Sequence, residues 1–147
     1  MVSIKKVVIP IDFSSNMGKV VDYGMSIADS FGADVHFLHV VDDFQGYDMM
    51  LVHPSFRGMT DDLKEQAEVR MKTLIKDHNK REGAVTGAVT VGYATDEIIN
   101  YAKSIDADMI IIGTHGAKGL ERVLMGSTAS QVVKKSPCPV LVFNPFT

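Results

Sequence analysis

Five short apolar runs, each separated from the next by a stretch with helical periodicity, constrain this chain more than any other feature of its 147 residues. The runs are residues 4–11, 35–41, 84–91, 109–112 and Val140–Phe143, all rich in Val, Ile or Leu. Between them, apolar residues recur at spacings of three and four, as on one face of a helix. Met17, Val20, Val21, Gly24, Ile27, Ala28 and Phe31 form the first such stripe, with Ser14 or Ser15 placed to cap it and Gly32 to stop it. Leu63, Ala67, Met71, Leu74, Ile75 and His78 form the second, ended by Gly83. Thr95 opens a short third helix carrying Ile98, Ile99, Ala102 and Ile105. A fourth runs from about residue 128 to 135, with capping-box spacing at Thr128 and Gln131 and a stop at Pro137. Alternation of this kind means βαβ units, hence one α/β domain over residues 1–147 built on a doubly wound, five-stranded parallel sheet with helices on both faces.

One connection is too long for such a fold. Residues 42–57 exceed the usual two to six or so between elements, and they include Met49, Met50, Leu51 and Val52. The segment reads either as a flap over the core or as a lid or partner surface.

Ligands of doubly wound sheets bind beyond the carboxyl ends of the strands. The fourth run ends at Gly113-Thr114-His115-Gly116, and Gly126-Ser127-Thr128 opens the last helix. Glycines let backbone N–H groups approach an anion without a Cβ in the way. A helix amino terminus adds unpaired N–H groups and the positive end of a dipole. His115, Lys118 and Arg122 lie close by in sequence. The pattern suits phosphate, although a strand-exit turn followed by an ordinary capped helix would read the same. No Walker-type loop, GxGxxG fingerprint or GxSxG elbow is present.

Charge and composition narrow the function. A net charge of −3 gives no general attraction to nucleic acid. No apolar run approaches the roughly 20 residues that span a membrane, and the start of the chain lacks a signal-peptide core. A single cysteine, Cys138, allows no internal disulfide. These features point to the cytoplasm. Cys138, between two prolines with no base nearby, reads as a buried inert thiol. His36 and His39 are three apart on one strand, so they face opposite ways and cannot share a metal.

The spacing Gly113-x2-Gly116-x9-Gly126-Ser127 resembles the G-x2-G-x9-G-[ST] signature of ATP-binding members of the universal stress protein family. The likeness extends over Lys6-Val-Val-Ile-Pro-Ile-Asp12, Leu38-His39-Val40-Val41 and Cys138-Pro-Val-Leu-Val142. The resemblance implies strand order 3-2-1-4-5, ATP (with Mg2+) as the ligand, and a homodimer through the last strand. It also implies site residues: Pro10, Ile11 and Asp12 lining the cleft, with Asp12 near the ribose or a phosphate-bound metal. Val40 would touch adenine. Ile112, Gly113, His115 and Gly116 would form the near wall, and Gly126, Ser127 and Thr128 would hold phosphates. For Asp12 the alternative is a cap on the first helix. His115 stands where some members carry arginine, which weakens the positive charge offered to a triphosphate. Three functions remain open: a nucleotide-binding regulatory module, a slow ATPase, and an interaction protein with an empty site. The lack of an evident general base disfavours the second.

Overall fold

Alternate residues of the first strand feed two separate cores, and this organises the molecule. In the computed structural model, which describes residues 1–42, 54–81, 83–115 and 126–146, β1 (Lys6–Pro10) lies at the centre of a sheet ordered β3-β2-β1-β4-β5. Every pairing is parallel. Val7 and Ile9 pack with Val20, Val21 and Ala28 of α1 (Met17–Phe31) and with Met71 and Leu74 of α2 (Pro54–His78). Val8 packs on the other face with Ile98, Ile99 and Ala102 of α3 (Ala94–Ser104) and with Ala129 and Val132 of α4 (Ser127–Lys135). A strand covered on both faces has no solvent side, which is why it reads as an unbroken apolar run. The remaining strands are β2 (Asp34–Val41), β3 (Val85–Val91), β4 (Met109–Gly113) and β5 (Val140–Phe143).

The two halves of the chain are fastened where β1 and β4 begin. Asp108 accepts the amides of Lys5 and Lys6 at 2.9 and 3.0 Å, and its own amide donates to Lys6 O at 2.8 Å. The parallel ladder then pairs Val7 with Met109 and Val8 with Ile110.

Several local expectations need correction. Neither Ser14 nor Ser15 caps α1: it starts at Met17 behind Asn16, with no side-chain cap. Asp12 and Phe13 turn the chain before the serines reach the helix end, and Ser14 spends its amide on Asp12. The capping box at Thr128 and Gln131 does not form, because α4 starts one residue earlier behind Gly126. Helix α2 starts at Pro54, so the backbone of residues 54–57 is helical, while residues 43–53 lie outside the described residues. It ends at His78, short of Gly83. Leu63 and Phe31 are exposed at the margins of their helices, 41% and 52%. Gly32 does end α1, in the left-handed conformation, donating to Asp29 O.

Candidate functional site

The carboxyl ends of β1 and β4 stand side by side, and the candidate residues of the sequence gather around them. Continuing the β1–β4 register puts Pro10 level with Ile112; continuing the β1–β2 register from Pro10↔Leu38 puts Asp12 level with Val40. Val40 and Ile112 pack on the α3–α4 face with Val8, and alternation puts Pro10 on that face too. The strand order therefore brings together segments about 100 residues apart at the place where doubly wound sheets bind ligands.

The β1 exit is held from both sides. Ile11 N donates to Leu38 O at 2.8 Å, and Ile11 O accepts from His39 Nδ1 at 2.8 Å. Asp12 is half-buried, and its Oδ1 accepts the amide of Ser14 at 2.9 Å. Its carboxylate thus closes the turn itself, two residues on, rather than capping α1.

The β4 exit is equally constrained. A Cβ on Gly113 would lie 2.9 Å from Val20 Cγ2, so α1 rests against bare backbone there. Thr114 N donates to Phe143 O at 2.9 Å, and Thr114 O accepts Gly126 N at 2.8 Å. Between those bonds Thr114 sets α4 against the end of β4. His115 Nδ1 is 2.7 Å from Thr114 Oγ1, and its ring meets Phe146 edge-on at 4.6 Å. Gly116, Lys118 and Arg122 lie outside the described residues.

Helix α4 carries no side-chain cap. Ser127, Thr128 and Ala129 head it, and their amides have no carbonyl within the helix to meet. Ser127 is exposed and Thr128 half-buried, so both hydroxyls stand where a polar ligand could add to those amides. Lys134 and Lys135 occupy the last turn, at the negative end of the dipole.

Other candidates separate. His36 shares a 2.9 Å hydrogen bond with Thr86 Oγ1 on one face of β2, while His39 lies on the opposite face against Phe13 at 4.8 Å. Burial, with a smaller contribution from Lys6, lowers the His36 pKa; Asp34 opposes it. Cys138 is half-buried rather than buried, its Sγ 3.7 Å from Ser136 Oγ. No group of three or more metal-ligating side chains occurs among the described residues, and no helix among them is long and apolar enough to cross a membrane. A cleft of about 220 Å³ opens at the opposite end of the sheet, beside Met25, Val35 and His78. Its cations are engaged, Lys80 with Asp29 at 3.6 Å and Arg81 with Asp34 at 3.0 Å.

Thr114 and Phe13 stand at the exits of β4 and β1 and were not among the candidate residues of the sequence. Thr114 acts through its backbone, which every residue type possesses. The only signal for it was its place between Gly113 and His115.

A model of the universal stress protein family matches residues 3–144. Universal stress protein MJ0531 of Methanocaldococcus jannaschii is 34% identical over 140 residues, spanning 94% of this chain and 81% of that protein. Universal stress protein UspA from Lactobacillus plantarum has a similar structure, with a TM-score of 0.84 at 26% identity, covering 97% of this chain and 99% of that one. Two more distant structures share the fold. One is a universal stress protein in complex with cAMP, at 20% identity and TM-score 0.65, covering 96% of this chain and 97% of that one. The other is the universal stress protein from Archaeoglobus fulgidus in complex with dAMP, at 19% and 0.62, covering 97% and 98%.

Proposed function

The chain belongs to the universal stress protein family, and from that premise we propose that it binds ATP, with Mg2+, in the crevice between β1 and β4 and acts as a dimeric regulatory module of the stress response. The observation that carries the reading is the amino terminus of α4. Its uncapped amides at Ser127, Thr128 and Ala129 are set beside the β4 exit by the Gly126–Thr114 hydrogen bond. Amides so arranged favour an anion such as phosphate. Val40, on the same face of the sheet, offers an apolar surface to the base, and Asp12 stands level with it to meet ribose or a phosphate-bound metal. Solved relatives of the same fold in complex with cAMP and with dAMP support an adenine nucleotide as the class of ligand.

Binding rather than turnover fits the residues. Among the described residues of the crevice, Asp12 is the acid at hand, and one of its oxygens is committed to the Ser14 amide. Titration calorimetry with ATP and Mg2+ tests the proposal, with micromolar affinity expected, on the order of −8 kcal/mol. Absence of heat and of thermal stabilisation at millimolar ATP rejects it. Mass spectrometry of small molecules released on denaturation identifies any nucleotide already carried.

A further inference from the structure

Phe13, directly after Asp12, stands in the left-handed region with φ 58°. That conformation crowds a Cβ and is an outlier for a bulky side chain. Elsewhere among the described residues, positive φ occurs at Gly32, Gly83, Gly92 and Asp106, residue types that accept it. A turn that only reversed the chain would be served by glycine here as well. Conformations of this kind persist where the surroundings over-determine them, and they cluster at ligand sites.

The surroundings of Phe13 are specific. Its ring packs against the core on the α1–α2 side, with the His39 ring 4.8 Å away and tilted by 51°. The Arg70 guanidinium of α2 lies 5.8 Å from the ring centroid, within cation–π range. His39 is fixed in turn by its hydrogen bond to Ile11 O. A carbonyl can only accept, so Nδ1 carries the proton. Asp12 therefore lies between two anchored neighbours. On one side Ile11 is bonded through both its amide and its carbonyl. On the other, the Phe13 ring is held by groups from β2 and α2.

We propose that Phe13, His39 and Arg70 form a clamp that positions Asp12 for the nucleotide, an inference that rests on the function proposed above. The three are positioning residues: they act on the ligand through the Asp12 backbone and carboxylate. The strained turn is held from the α1–α2 face, while the ligand contacts the α3–α4 face.

The experiment is calorimetry with ATP and Mg2+ on the parent, Phe13→Gly, Phe13→Tyr, Asp12→Asn and the double variant Phe13→Gly/Asp12→Asn. Thermal melting is run alongside. Glycine removes the ring but accepts positive φ, so Phe13→Gly keeps the fold while its affinity falls about tenfold or more, as when a supporting shell is lost. Phe13→Tyr keeps the ring and restores affinity. In the Asp12→Asn background, Phe13→Gly has no further effect, because both changes remove one unit. A folded Phe13→Gly that binds like the parent overturns the clamp, as does a loss that adds to that of Asp12→Asn. A parent that binds no nucleotide overturns the proposed function itself and the clamp with it; the two failures are thus told apart by the parent alone.

Discussion

A Cβ on Gly113 would stand 2.9 Å from Cγ2 of Val20, so α1 lies directly on the backbone at the exit of β4. Branched Cγ atoms near the helix axis have little room to yield. Gly113→Ala should cost about 1–3 kcal/mol as overpacking, seen as a melting temperature lower by several degrees. Val20→Ala, placed in the same protein, should return part of that loss. Strict additivity of the two in a double-mutant cycle would show that the contact does not set the position of α1.

The surroundings of His36 should give the fold a pH dependence whose sign can be worked out. Its pKa in the folded chain lies below the ordinary 6.5, with burial as the main cause. As pH falls through 6.5 toward the folded value, the unfolded chain takes up this proton first, so stability declines across that window and levels off below it. The decline should be smaller in His36→Asn than in the parent. Denaturant unfolding on either side of the window measures the difference, and an NMR titration of the imidazole gives the folded pKa. A folded value at or above 6.5 contradicts the expectation.

The strand order puts β5 at one edge of the sheet and β3 at the other. Val140–Phe143 is apolar, half-buried and free of charge, and such an edge invites a second chain. Two-fold pairing of β5 should give a homodimer, measured by light scattering at micromolar concentration. Replacing Leu141 and Phe143 with lysine should give monomers. Thr86→Lys, on β3, should leave the dimer intact. A monomeric parent rejects the pairing, and dissociation by Thr86→Lys alone moves it to the opposite edge. Phe143 also stacks on Tyr23 at 4.5 Å, so melting curves must show that the double variant remains folded.

The parts of this fold that were legible in the sequence are those set by burial. Ile110 and Ile111 are fully buried, and an uninterrupted apolar run was the only pattern such a strand could show. The glycines at 113 and 126 stood out in the sequence as places for an anion to approach; the structure gives them a packing reason that the sequence did not carry, a Cβ on Gly126 standing 3.0 Å from Thr114 O and one on Gly113 2.9 Å from Val20. The order of the strands was not in the periodicity; it came through family resemblance, and the pairing of β1 with β4 bears it out. Helix ends were read least well. Serines and threonines suggested caps at Ser14, Ser15 and Thr128, yet both helices go uncapped by side chains. Phe13 could not have been foreseen, because its left-handed backbone runs against its residue type and depends on Arg70 and His39 arriving from distant elements.

The fastening of Lys6 to Asp108 spans 102 residues, and everything at the crevice lies beyond it. A chain still emerging from the ribosome can complete β1, α1 and β2 while holding only the Asp12 and Val40 side of the crevice. Closing so long a loop carries an entropic cost that local contacts cannot offset in advance. Cutting the chain anywhere between β1 and β4 should therefore abolish binding unless both pieces reassociate. A nucleotide seated there would act as a rivet across the first and last thirds of the molecule.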